Sequence, residues 1–330
     1  LGQREWLQKP VLQAQLAYWK NHLADAPPLL LMPTDRPRPT ALSFRGNNQI
    51  FRLPEPLTAR LRQLARAEDA TLFMTSLAAF KTLLYRYSRQ TDILVGTPIA
   101  NRDQYELEGL IGLFLNTLAL RSKVSDQMSF RQLLRSVRET CLDAYTHQDL
   151  PFEQLVEELC PQRDPRHTPI FQVAFTLQTP PPWLRVSSQW SVQGLAMRND
   201  SSQFDLTLNM EDRGHELVGA LEYNTDIFAD ATITRMLRNF ELLFEGIVSD
   251  PDMPVGSLPL VSAEERRTLV REWNETAADY STDTCLPQLF MAAAKRSPQA
   301  AAIAGPKGEI TFAQLNRRAN QLAHRLLRAG

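Results

Sequence analysis

The stretch "THQDLPFEQLVEEL" (146–159) sets a histidine and an acid two positions apart, just ahead of a proline. His147 and Asp149 are the residue types of proton transfer: an imidazole that titrates near neutrality and a carboxylate that could orient it. The same residues can instead finish one helix and begin the next. His147 falls in the last turn of a helix spelled over 129–147, where a partly protonated ring interacts well with the negative end of the dipole. Leu150 precedes Pro151 and is steered out of the α region, which stops the helix. Asp149 then stands where it can cap a proline-started helix. Local physics favours the corner over a catalytic dyad, yet the corner alone does not explain Gln148 or Glu153.

No other stretch carries chemistry more plainly. His22, His167, His215 and His324 are scattered, and none belongs to H-E-x-x-H or a Cys/His zinc pattern, so no metal is expected. There is no G-x-S-x-G elbow and no G-x-x-x-x-G-K-[ST] loop. "AGPKGEI" lies between strand-like runs and reads as a hairpin turn. Cys141, Cys160 and Cys285 are odd in number and far apart, which reads as reduced thiols in a cytosolic protein. Lys plus Arg total 36 and Asp plus Glu 37, so no global field draws the chain to nucleic acid or anionic lipid. The longest apolar runs, such as "PLLLMP", are too short to span a bilayer, and no secretory leader opens the chain. A cytoplasmic location, with neither nucleic acid nor membrane as partner, is the expectation.

The elements that must position these residues follow from periodicity. "PVLQAQLAYWKNHL" (10–23) has Leu12, Leu16, Trp19 and Leu23 at helical spacing. "LMPTDRPRPTALSFRG" (31–46) is too proline-rich for helix and reads as an extended surface connection. "NQIFRL" is a short strand and 56–68 an amphipathic helix. "TLFMTSLAAFKTLLYRYS" (71–88) is apolar nearly all round, a buried helix leading into "DILVGTPIA", a strand covered on both faces. Such a helix-then-strand order marks a layered α/β domain. "IGLFLNTLALR" (111–121) is strand-like in its second half. Ser129 and Gln132 form a capping box for the helix that ends near His147. A strand at 170–178 is broken by "TPPPWL", a hairpin spans 203–223, and a long helix spans 230–250. Residues 251–285 turn proline-rich and polar, with one short helix, which predicts a domain boundary. Beyond it come two short strands and a helix capped by Thr311 and Gln314.

Several motifs in a fixed order resemble the C-terminal part of a condensation domain from a nonribosomal peptide synthetase. "GQREWL" resembles the tail of that family's fourth motif. "IGLFLNTLALR" is similar to its fifth, "HQDLPFE" to its sixth and "RDPRHTPIFQV" to its seventh; "MPTDRPRP" and "QFDLTL…LEYNTDIF" are further family stretches. "LVREWNET" looks like the linker that follows, and "ITFAQLNRRANQLAHRL" resembles the first core motif of an adenylation domain. The resemblance implies an α/β fold: a chloramphenicol-acetyltransferase-like lobe over 1–262, a mixed sheet flanked by helices. A linker follows at 263–283, then the beginning of an adenylate-forming domain at 284–330. It also implies that the chain is a piece of something longer, lacking the N-terminal lobe and the rest of the adenylation domain.

In that family two lobes form a V with a tunnel where they meet, and carrier domains upstream and downstream bring thioester-bound groups to it. The acceptor's amine attacks the donor thioester and a peptide bond forms. The catalytic histidine belongs to an H-H-x-x-x-D-G motif of the missing lobe, expected upstream of residue 1, so the resemblance assigns this chain no catalytic residue. His147, Gln148, Asp149, Pro151, Phe152, Glu153 and Arg163 match family motifs outside the catalytic one and are expected to shape the lobe. Asn116, Thr117, Ser202, Gln203 and Asp205 are the expected tunnel residues, with Ser201 beside them. Asn116 either donates to a substrate or pantetheine carbonyl or simply ends a buried strand. Asp205 is expected on the polar face of its strand, where a structural salt bridge competes with a tunnel role. The cofactors implied are 4′-phosphopantetheine on the carriers, and ATP with Mg2+ for a complete adenylation domain; none is expected on this chain. Joining of two L-residues is the subtype the motifs resemble most. A non-catalytic carrier-binding or vestigial module, and a stand-alone acyltransferase, are the alternatives. Residues 1–262 are expected to fold poorly alone, because a face made for another lobe would meet water.

Overall fold

The computed structural model describes residues 10–102, 105–160, 164–179, 200–278, 284–306 and 308–330. The chain divides into two compact units, Leu1–Ala263 and Glu264–Gly330.

The first unit is built on one six-stranded sheet with strand order β1-β6-β5-β4-β2-β3. Its strands are β1 Gly46–Leu53, β2 Asp92–Ile99, β3 Asn116–Lys123, β4 Val173–Gln178, β5 Leu206–Asp212 and β6 Leu217–Asn224. β4 runs parallel to both β2 and β5, while the other pairs are antiparallel, so the sheet is mixed. The helices are α1 Pro10–His22, α2 Glu55–Ala67, α3 Leu72–Ser88, the short α4 Tyr105–Glu108, α5 Phe130–Thr146, α6 Phe152–Leu159 and α7 Asp230–Ser249.

Helix α3 is the apolar helix of the sequence, and every residue from Met74 to Tyr85 is buried. Its Phe80 ring lies 6.1 Å from Phe175 on β4 and 6.1 Å from Phe240 on α7, tying the helix layer to the sheet. The Ser129–Gln132 capping box forms at the head of α5 as the spacing predicts. β2 is buried along its middle, which accounts for its unalternated sequence. One ionisable side chain sits deep inside this layer. Lys81 is fully buried and donates to the Leu120 carbonyl (2.9 Å) and to Ser122 Oγ (2.7 Å); burial lowers its pKa to about 7.

One join in the sheet is weak. The ladder between β2 and β4 consists of the single pair Gly96↔Ala174, whereas β4 and β5 pair from Val173 to Gln178. Beyond Gly96 the two parallel strands part toward their carboxyl ends. Gly96 is required there, because a Cβ would stand 2.0 Å from the Phe171 ring.

The second unit takes in most of α8 Ala263–Val270 and holds α9 Leu286–Arg296, a β7–β8 hairpin (Ala301–Gly305, Gly308–Thr311) and α10 Phe312–Ala329. The Thr311–Gln314 capping box opens α10 as predicted. Along α10, Leu322 and Leu326 remain 59% and 63% exposed. Among the described residues, no helix is long and apolar enough to cross a membrane, and no group of His, Cys, Asp and Glu could hold a metal ion.

Candidate functional site

The 146–159 stretch is a helix-to-helix corner, held from outside itself. His147 closes α5, and its Nδ1 lies 2.8 Å from the Asp143 carbonyl and 2.9 Å from Thr146 Oγ1. The ring stacks on Tyr18 of α1 at 3.8 Å with planes 6° apart, and Trp19 Nε1 donates to the His147 carbonyl at 2.8 Å. The Asp149 carboxylate accepts from Gln15 Nε2 at 2.8 Å, and Gln15 Oε1 accepts from the Leu150 amide at 2.9 Å. His147 and Asp149 therefore face different partners and do not form a dyad.

Asp149 does not cap α6, contrary to the sequence expectation. Pro151 occupies the cap position without a side-chain bond, and the first helical amide, of Phe152, donates 3.0 Å to Asn116 Oδ1. Asn116 braces the whole corner. Its Nδ2 donates to the carbonyls of Gln148 (2.7 Å) and Leu150 (2.8 Å), and its Oδ1 also accepts from the Thr117 amide (2.9 Å). Both amide hydrogens are used inside the fold, so none is left for a substrate carbonyl in this arrangement. Glu153 places its charge in the first turn of α6, where the dipole favours it. Phe152 packs on Phe171 at 5.4 Å. Arg163 lies outside the described residues.

Ser201, Ser202, Gln203 and Asp205 gather elsewhere, before β5 and away from β3 in the sheet order. Asp205 precedes its strand rather than lying on it, and is buried. Arg38 grips it through both Nη atoms, Nη1 at 2.8 Å from Oδ1, so the structural salt bridge weighed from sequence is present. Ser202 Oγ donates to the Phe204 carbonyl at 2.6 Å. Glu222 joins this cluster unforeseen. Burial raises its carboxyl pKa, while the Gln203 amide and Ser202 hydroxyl pull the other way. Its signal was the strand alternation: Leu221 and Tyr223 point into the core, which leaves Glu222 on the opposite face.

Among the described residues, two cavities bear on these clusters. A groove of about 990 Å³ lies ahead of β4 and takes in Leu42, Phe44, Cys160, His167, Ile170 and Gln203. A crevice of about 380 Å³ opens where β2 and β4 part, lined by Phe73, Thr97, Ile99, Leu115, Tyr145 and Thr176 among others. The crevice is at the carboxyl ends of parallel strands, where the order of the sheet reverses, and that is where open α/β sheets bind ligands. It also adjoins the braced corner: Ile99 pairs with Asn116 and Pro98 with Thr117. Arg102 shapes the loop before β3, donating to the carbonyls of Leu107, Leu110 (2.9 Å) and Gly112 (3.3 Å) and lying 4.3 Å over the Phe114 ring. That loop leaves Leu110, Ile111 and Leu113 exposed, Ile111 completely. Among the described residues, the one ionisable side chain lining the crevice is Tyr145, whose phenol burial pushes up to about 12. The crevice can bind and orient a substrate, and among the described residues it holds no base.

A family model described as "Condensation domain" matches residues 2–270. The chain is 46% identical to a linear gramicidin synthase of Brevibacillus parabrevis over 330 residues, covering 99% of this chain and 4% of that protein. It is 41% identical to a chondramide synthase of Chondromyces crocatus, with 99% and 8% covered. Among solved structures, a four-domain nonribosomal peptide synthetase, holo-AB3403 bound to AMP and glycine, superposes with TM-score 0.81 at 25% identity, covering 96% of this chain and 25% of that one. The X-domain from teicoplanin biosynthesis superposes with TM-score 0.69 at 26% identity, covering 78% and 59%. The chain thus spans a small part of the curated relatives it matches. With this fold, these motifs and a match over most of its length, the chain belongs to the condensation-domain family of nonribosomal peptide synthetases.

Proposed function

We propose that the first unit is the C-terminal half of a condensation domain, and that its parent joins carrier-bound aminoacyl or peptidyl thioesters, two L-residues, into a peptide. The observation that carries this reading is the family match over residues 2–270, taken with the crevice at the parted strand ends. In the reaction the acceptor's amine attacks the donor thioester carbonyl. A C–N bond forms, the C–S bond breaks, the ammonium's proton leaves and the donor carrier keeps a free thiol. This chain supplies binding and orientation. The sequence has no H-H-x-x-x-D-G, so we assign proton handling to another lobe of the parent. The partners are carrier domains bearing 4′-phosphopantetheine, in the cytoplasm.

We read Glu264–Gly330 as linker and the start of an adenylation domain that, when complete, uses ATP and Mg2+. The four-domain synthetase covers 96% of the chain while the X-domain covers 78%, which supports this assignment. To test the condensation reading, both carriers of the parent are loaded with different aminoacyl groups and followed by intact-protein mass spectrometry. Transfer of the upstream group onto the downstream arm is expected; retention of both groups overturns it. A recruiting platform is the second reading, favoured by the similar X-domain solved in complex with OxyB. Retained acyl groups together with stable carrier binding would favour it.

A further inference from the structure

We propose that Tyr145 positions the carrier-bound acceptor in the crevice, its phenolic hydroxyl hydrogen-bonding an amide or thioester carbonyl of the acyl-pantetheine chain. The inference rests on the condensation reading above and adds a residue to it. Tyr145 is in the last turn of α5, directly before the corner that Asn116, Tyr18 and Trp19 pin in place. Its ring is half-buried and lines the crevice with Phe73, Ile99 and Leu115.

The hydroxyl is the polar group that Tyr145 brings to the crevice. Tyr85 donates to Asp126 (2.6 Å), Tyr223 donates to Asp230 (2.7 Å) and Tyr87 bonds Asn239 (2.8 Å). Among the described residues, the Tyr145 hydroxyl finds no hydrogen-bond partner. A phenol both donates and accepts, so it can bond a group that enters the crevice. The neighbouring Thr176 hydroxyl is already committed to Asn209 Oδ1 at 2.9 Å. With its pKa near 12, the phenol stays protonated through the working range and acts as a fixed donor rather than a base. A carbonyl arriving on an acyl-pantetheine arm fits this role: it is an acceptor, it carries no charge, and the methylenes beside it suit the apolar part of the walls.

The test uses the full parent synthetase with its donor carrier loaded and a soluble aminoacyl-pantetheine thioester as acceptor. Tyr145→Phe keeps the ring and removes only the hydroxyl. The expected result is a rise in KM of about fivefold, the value of one neutral hydrogen bond, with kcat within about twofold and an unchanged or higher melting temperature. An unchanged KM overturns the proposal. A lowered melting temperature with kcat and KM both impaired assigns Tyr145 a structural role and also overturns it. If the unsubstituted parent forms no amide, the condensation reading itself fails and this proposal with it; amide formation by both proteins at equal KM removes the Tyr145 proposal alone.

Discussion

Lys81 makes the first unit's stability depend on pH in a way that surface charges do not. Its folded pKa is about 7, against about 10.4 in an unfolded chain. Between those values the unfolded state holds a proton the folded state has released, so stability climbs with pH across that window. His22 acts in the same direction lower down. Burial, with help from Lys81 and Arg121, lowers it to about 4, so stability falls as pH drops from about 6.5 toward 4. Urea midpoints measured against pH should rise in the lower window and again above about 7, until the Cys141 thiol, which burial raises from 9.0 to about 11, begins to oppose the gain; Lys81→Met should flatten the upper rise, and a variant that keeps it contradicts the assignment. Asn116 gives a second prediction at this scale. Asn116→Ala removes the side-chain partner of two carbonyls and two amides and should cost about 2–4 kcal/mol in chemical denaturation. A loss below about 0.5 kcal/mol would show the brace is idle. From the sequence Asn116 reads as a tunnel donor or as the polar end of a buried strand, and its bracing role is not legible. Its partners lie 32 to 36 residues away, and periodicity carries no information over that span.

At the scale of elements, the contact between Gly96 and Phe171 decides how closely β2 and the segment before β4 can approach. Gly96→Ala would force the Phe171 ring off Phe152 and Phe204 and should destabilise by about 1–3 kcal/mol. Adding Phe171→Leu should recover part of that, and thermal melts of the single and double variants read the difference. Additive losses would mean the two positions do not share the space. Helices and caps were largely legible: Ser129 with Gln132 and Thr311 with Gln314 form the boxes their spacing predicts, and the all-round apolar 71–88 run is the central helix. Strand order was not. Nothing local states that β4 inserts between β2 and β5, or that it touches β2 at one residue pair, because those facts are fixed by packing across the sheet. The cap of α6 was misread for the same reason: the adjacent Asp149 was the natural choice by sequence, and Gln15 of α1 had already claimed it.

At the scale of the molecule, each unit leaves apolar surface uncovered within itself. In the first, Leu110, Ile111 and Leu113 stand on a loop that Arg102 holds in shape, beside the crevice. In the second, the α10 stripe of Leu322 and Leu326 lies open. Surfaces of this kind promote association in water. Ile111→Ser with Leu113→Ser should lower light scattering of the 330-residue chain on heating while moving its melting temperature little, since exposed side chains contribute little to the core. Scattering equal to the parent chain's would place the liability elsewhere. The ordered family stretches were readable at this scale, and the family they resemble is the one whose model matches residues 2–270. The crevice was not, because its walls come from α3, β2, β4 and α5, which lie far apart along the chain. Acceptor binding in the crevice is tested most sharply by a structure of the parent synthetase stalled with a stable amide-linked aminoacyl-pantetheine on its downstream carrier. Density for the arm is expected against Thr97, Leu115, Tyr145 and Thr176; density in the groove beside Phe44 and Ile170, with the crevice empty, would refute that placement.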